Sequence, residues 1–175
     1  MKFELLKSEI AYEGHVFNVR KDYLLTPGGN TVKYDIIEHT GSVILVPVDD
    51  DGQMYFVRQY RHAAKVDLLE LPAGTLEENE PPTEAAAREI REEIGLEARN
   101  IREIGSFYLA PGYSTELMHV FLATGLFDNP LEPDADEYLS VEKMPVSEAL
   151  RYAETGQMQD SKSLAALLLA RQYLL

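Results

Sequence analysis

The sequence predicts a mixed fold, α/β or α+β, and three observations carry that expectation. Strand-like runs fill the chain from Phe3 to about Thr124, and one amphipathic helix interrupts them after Thr83. Two further helical segments close the chain, Ser147 to Thr155 and Ser161 to Tyr173. Strands of both kinds around helices with one apolar face need layers packed on a common core.

Taken in order, Phe3 to Tyr12, Val16 to Leu25 and Thr31 to Glu38 read as strands, the last two joined by the hairpin signal Pro27-Gly28-Gly29-Asn30. This antiparallel extension, residues 1–40, is too thin to bury both of its faces alone, so it packs on its own domain or on a second subunit. The main domain is expected over residues 41–175. It opens with a buried strand, Ser42 to Val48, a turn from Asp49 to Gly52, and a second strand from Met54 to Tyr60. Pro72 in Leu71-Pro72-Ala73 ends a strand, and Gly74 permits a turn with its backbone close to a ligand. After the helix come strands near Ile101 to Leu109 and Glu116 to Thr124. An acidic loop from Asn129 to Glu137 follows, then a short strand near Leu139 to Lys143. Gly156 ends the first closing helix, and the second turns a Leu-Ala face to the core.

The helix after Thr83, its expected N-cap, carries the chemistry. At about 100° per residue, Glu89, Glu92 and Glu93 fall within roughly a third of the circumference. Two unit charges ~5.5 Å apart cost about 3 kcal/mol at an effective dielectric of 20, and the macrodipole disfavours anions toward a helix C-terminus. A glutamate-rich helix is most often a solvated face. Here, however, the three carboxylates share one side while Ala87, Ile90 and Ile94 form a neighbouring apolar stripe, and Gly95 closes the helix. That crowding suits a hard divalent cation, whose ligands are oxygens, and the arrangement reads as a magnesium site with manganese as the alternative ion. Arg88 lies one turn before Glu92 and can hold its carboxylate.

Composition narrows the partners. With 175 residues, 45% of them hydrophobic, the chain has ample core for one domain plus a small appendage. A formal net charge of −14 with no basic stripe excludes loose electrostatic binding to nucleic acid or to an anionic membrane. A polyanionic substrate is still accommodated where metal ions cancel the local charge. No cysteine is present, and His15, His39, His62 and His119 have no metal-ligand spacing. Charged residues interrupt MKFELLKSEI and no apolar run reaches membrane length, so a cytoplasmic protein is expected.

From Gly74 the chain runs Gly, five residues, Glu80, seven residues, Arg88-Glu89-Ile90, one residue, Glu92-Glu93, one residue, Gly95-Leu96. Every specified position of the Nudix box is matched, and the chain resembles the Nudix hydrolases. That resemblance selects an α/β/α sandwich with a mixed sheet, a choice spacing alone leaves open. It implies magnesium-dependent hydrolysis of a nucleoside diphosphate linked to another moiety. Carried over, Glu89 and Glu93 are metal ligands, Glu92 is a further ligand or the water-activating group, and the Ala73 carbonyl is a backbone ligand. Arg88 orients the glutamates and Glu80 supports the loop.

Features outside the box set the substrate expectation. Pro111, in LAPGYSTE about fifteen residues beyond Leu96, matches a marker of the ADP-ribose pyrophosphatase group, although Pro-Gly also serves any strand-to-strand turn. FVRQYR at Phe56 to Arg61 and LLELPAG at Leu68 to Gly74 resemble the same group. Its members use an N-terminal strand extension to dimerise and complete the adenine pocket, so a homodimer is implied. The expected reaction splits ADP-ribose into AMP and ribose 5-phosphate. GDP-mannose is the closest competing substrate, and a non-catalytic nucleotide-sugar sensor is the third reading. Arg58 and Arg61 are suited to a phosphate or are solvent-facing strand arginines. Glu116 bonds ribose hydroxyls or caps its loop, and Glu137, in the acidic loop with Asp134 and Asp136, stands where relatives carry a further glutamate for the metal cluster or the attacking water.

Overall fold

A computed structural model of the chain describes residues 2–132 and 138–175. It divides into two compact units, Met1–Gly41 with Phe107–Met118, and Ser42–Ser106 with His119–Leu175.

The first unit is built on an antiparallel sheet of order β1-β2-β3, with β1 over Glu4–Glu13, β2 over Asn18–Leu25 and β3 over Thr31–Glu38. The hairpin expected at Pro27 to Asn30 forms: the Gly29 amide donates to the Thr26 carbonyl, and Leu25 pairs with Thr31. Two irregularities interrupt the β1-β2 register, between Leu5 and Lys7 and between Ile10 and Tyr12. Almost every residue of β1 is exposed, because one thin sheet offers no second layer to cover it. In the same unit Ile37 pairs with the loop after Pro111, its amide donating to Tyr113 O at 2.7 Å and its carbonyl accepting from Thr115 N at 3.0 Å.

The second unit is organised on the sheet path β10-β5-β4-β9-β8, with β6 paired to β5 and β7 to β4. Its elements are β4 Ser42–Val48, β5 Gln53–Arg61, β6 Val66–Glu70, β7 Ala73–Thr75, α1 Pro82–Ile94, β8 Leu96–Tyr108, β9 Leu117–Asp128, β10 Leu139–Pro145, α2 Val146–Glu154 and α3 Ser161–Leu174; β8 and β9 run on into the first unit at one end. Strand alternation turns Val43 and Leu45 of β4 toward α1, where they join Val57, Ala86, Ile90 and Phe121 in one buried cluster. Ile44 and Val46, equally buried, point the other way, and α3 also packs on β4. A sheet sealed on both faces explains why SVILVPV is apolar without alternation. The α/β class and the sandwich layering are therefore as expected.

Three details of α1 and its approach differ from the sequence reading. The cap position is Pro81, extended at φ −65° and ψ 136°, and no side chain caps the helix; Thr83 is already helical. Pro82 opens the helix because its ring presets φ and it has no N–H to satisfy. The stripe on the sheet is Ala86, Ile90 and Ile94 with Ala85, whereas Ala87 is only partly buried, one helical step of about 100° away. The third difference is β7, whose three residues pair Ser42 with Thr75 and Ile44 with Ala73 and so set the segment before the box into the sheet. Gly95 ends α1 in the left-handed region at φ 72°, as expected.

Candidate active site

Helical spacing sorts the residues of α1 into three adjacent rows. Ala86, Ile90 and Ile94 dock on the sheet, Ala85, Glu89 and Glu93 form the next buried row, and Arg88 and Glu92 lie outside it. Glu89 is 6% exposed and Glu93 4%, so the sequence buries two carboxylates on the flank of an apolar stripe. Carboxylates that deep require partners.

The strand before the helix and the acidic loop supply them. The Ala73 amide in β7 donates to Glu93 Oε2 at 2.9 Å. Arg88 donates through Nη1 to Glu89 Oε1 at 2.6 Å and to Glu92 Oε2 at 2.9 Å. Its Nε and Nη2 form a fork on Glu80, both at 2.9 Å. Nη2 also reaches the Thr75 carbonyl at 3.3 Å. Glu80 in turn accepts from the Glu77 amide at 3.0 Å, which ties down the loop Glu77 to Glu80. The Arg88 hydrogen bond holds the Glu80 carboxyl below the ordinary carboxylate value, against the opposing effect of burial. The same bond, with those to Glu92 and Glu89, pushes the Arg88 guanidinium pKa up. One arginine thus orients three carboxylates from helix and loop.

Those bonds have a consequence for metal binding. Among the described residues, no three His, Cys, Asp or Glu side chains converge as a ready-made ion cage. The box oxygens are held by Arg88 and the Ala73 amide instead. The donor set nevertheless fits a hard divalent cation. All the donors are oxygens, and Glu80, Glu89 and Glu92 share a single guanidinium, which leaves surplus negative charge. Gly74 leaves open the space that the Glu89 carboxylate occupies, since a Cβ there would meet Glu89 Oε1 at 1.9 Å.

The other expected site residues fall elsewhere. Arg58, midway along β5, forks onto Glu142 of β10 with Nε at 2.5 Å from Oε1. Arg61, at the end of β5, forks onto Glu70 at 2.7 and 2.6 Å. Both arginines are about 40% exposed, so each is an ion-paired strand residue with an open side. In the first unit, Pro111 is exposed in a turn closed by Ala110 O accepting from the Tyr113 and Ser114 amides. The Glu116 amide donates to Ser114 Oγ at 3.2 Å and its carbonyl accepts from Leu109 N. Asp134, Asp136 and Glu137 lie outside the described residues. Sequence reasoning missed Glu70, which is 1% exposed, and its second partner Lys162; no short-range pattern joins them.

Comparison with known proteins shows what the chain as a whole is similar to. A NUDIX domain model matches residues 38–167. The chain is 38% identical over 169 residues to the ADP-ribose pyrophosphatase of Mycobacterium tuberculosis, covering 95% of this chain and 82% of that protein. It is 33% identical over 164 residues to the ADP-ribose pyrophosphatase of Bacillus subtilis, covering 93% and 89%. A crystal structure described as an ADP compounds hydrolase superposes with a TM-score of 0.87 at 25% identity, covering 99% of this chain and 95% of that one.

Proposed function

The chain belongs to the NUDIX family, and from that footing we propose that it hydrolyses the diphosphate of ADP-ribose, giving AMP and ribose 5-phosphate. The observation that carries the proposal is the α1 carboxylate row, buried beside the β7 amide and oriented by Arg88, in a chain that is 38% and 33% identical over most of its length to two ADP-ribose pyrophosphatases.

Glu89 and Glu93 would hold the divalent cation, magnesium in this reading, with Glu92 and the Ala73 carbonyl as further donors. When bound, such an ion polarises a phosphoryl oxygen and lowers the pKa of a coordinated water. The chain's own residues do the rest by positioning. The Ala73 amide fixes Glu93, and Arg88 fixes Glu89 and Glu92 while Glu80 keeps the guanidinium from drifting. Glu92, more open than Glu89, would take a proton from attacking water in this proposal. Arg61 is the cationic contact for the diphosphate, whereas Arg58, three residues away on β5, projects from the other face of the sheet.

Dimerisation through residues 1–40 belongs to the same proposal. Its support is the apolar surface of β1, where Leu5, Leu6, Ile10 and Tyr12 are all about half exposed. Single exposed apolar residues are ordinary, but a run of them along one thin strand is a surface that a second copy would cover.

The test compares AMP release from ADP-ribose with GMP release from GDP-mannose, in magnesium, for the wild type and Glu93→Gln. The expected result is preferred turnover of ADP-ribose, abolished in the variant. Preference for GDP-mannose would move the substrate, and tight binding of ADP-ribose without turnover would replace the enzyme by a sensor.

A further inference from the structure

A second charge cluster in the same unit is not used by the box. Glu70, the last residue of β6, is 1% exposed and faces two cations. Arg61 occupies both of its oxygens in a fork. Lys162, in the first turn of α3, also bonds Glu70 Oε2. Two cations therefore meet on one buried carboxylate, and the second of them is shared with Asp160.

Exposure separates the two partners. The Arg61 side chain is 40% exposed and Lys162 only 14%, so Arg61 is the one with room to leave. Lys162 is held in place from its other side by Asp160 at 3.0 Å. Asp160 does not depend on Lys162 for its own satisfaction. It caps α3, accepting from the Ser163 amide and hydroxyl, where the helix dipole favours an anion. Ser163 Oγ also accepts from the Leu71 amide at 2.8 Å, which fastens the start of α3 to the residue after Glu70. Two residues further on, the Ala73 amide holds Glu93. Arg61 is therefore bound to the end of the strand that leads, three residues on, into the Ala73 amide and so to the catalytic row.

We propose that Lys162 is a positioning residue: by remaining on Glu70 it lets the Arg61 guanidinium turn from Glu70 to the substrate's diphosphate without leaving a buried carboxylate unpaired. Breaking a buried pair is strongly destabilising because of the charge left behind, and a standing second cation removes that obstacle. The inference rests on the nucleoside diphosphate reading above and concerns how substrate charge is received. Without Lys162, Glu70 would retain Arg61, and the loss would appear in substrate binding more than in the chemical step.

Steady-state kinetics on ADP-ribose with full-length Lys162→Met, Lys162→Arg, Glu70→Gln and Glu70→Gln/Lys162→Met, each with its melting curve, tests this. Lys162→Met is expected to raise KM about tenfold with kcat within about twofold, the signature of lost uniform binding. Lys162→Arg should recover most of the difference. Glu70→Gln should leave KM at or below the wild-type value, because nothing anionic then retains Arg61. The double variant should return KM toward wild type even where Lys162→Met alone melts early. Unchanged KM in Lys162→Met, a raised KM in Glu70→Gln, additive losses in the double variant, or an Arg61→Ala variant with wild-type KM would each overturn the proposal while leaving the hydrolase standing. A wild type that turns over no nucleoside diphosphate sugar would remove the reading beneath it.

Discussion

The Glu89 carboxylate fills the space a side chain on Gly74 would need: a Cβ built on that glycine lies 1.9 Å from Glu89 Oε1 and 2.3 Å from Oε2. The obstructing atoms are the far end of a flexible side chain, so the fold can yield by moving Glu89, while β7 keeps its pairing with Val43. Gly74→Ala is therefore expected to melt within a few degrees of wild type yet lose activity by about 100-fold, the scale of a catalytic group displaced by ~1 Å. Melting curves and turnover on ADP-ribose check it; a fully active Gly74→Ala would mean that Glu89 has no fixed catalytic position.

Glu93 serves two purposes that one substitution separates. Its Oε2 accepts from the Ala73 amide, which ties β7 to α1, and its charge contributes to the proposed metal site. Glutamine keeps an acceptor for the amide and removes the charge. Glu93→Gln should hold its melting temperature while magnesium-dependent turnover falls at least ~100-fold, since even indirect metal partners cost 10–100-fold. Chelation with EDTA should silence the wild type, with magnesium restoring it. Undiminished turnover in either experiment would remove the metal from the mechanism.

The parts legible in the sequence were those fixed by short-range spacing. Arg88 meets Glu92 because residues four apart on a helix are neighbours, and Gly95 ends α1 because only the left-handed region closes it there. The hairpin at Pro27 to Asn30 and the buried strand SVILVPV were readable for the same reason. What escaped was set by tertiary pairing. Glu70 and Lys162 are 92 residues apart, and nothing local to either announces the other. Three-residue β7 is too short to show a period and exists because β4 offers it partners. Thr83 looked like a cap by residue type, but Pro81-Pro82 start the helix earlier through backbone geometry that needs no hydroxyl. Arg58 and Arg61 were seen as cations, whereas the carboxylates that hold them, Glu142 and Glu70, come from other strands.

Glu80 ties acid stability to the box. Its side chain is 13% exposed, and the fork from Arg88 holds its pKa below the ordinary 4.5. A carboxylate whose pKa is depressed by folding adds stability that is full above its unfolded value and lost as pH falls through the folded one. Glu80→Gln should therefore cost about 2 kcal/mol at pH 7, the scale of a hydrogen bond to a charged group. The gap to wild type should close as pH drops below 4.5. Melting temperatures of both proteins between pH 7 and pH 3 decide it. A constant gap across that range would show that Glu80 acts through packing, not charge.

The N-terminal sheet makes the assembly prediction. Leu5 pairs with Leu24 and Ile10 with Arg20, so both belong to regular stretches of β1 flanking its irregularities, and they are 56% and 48% exposed. As an outer strand of the β1-β2-β3 sheet, β1 also has one edge without a strand partner among the described residues, an edge with which a second copy could pair. If residues 1–40 form the subunit interface, the wild type elutes at twice the 19.7 kDa chain mass in light scattering. Leu5→Asp/Ile10→Asp then places two charges in that contact and should give the monomer mass, because carboxylates without partners are costly to bury. The fold of residues 42–106 and 119–175 does not depend on those side chains for its core, so its melting transition should persist. A wild type that is already monomeric at micromolar concentration, or a doubly charged variant that stays dimeric, would move the interface away from β1.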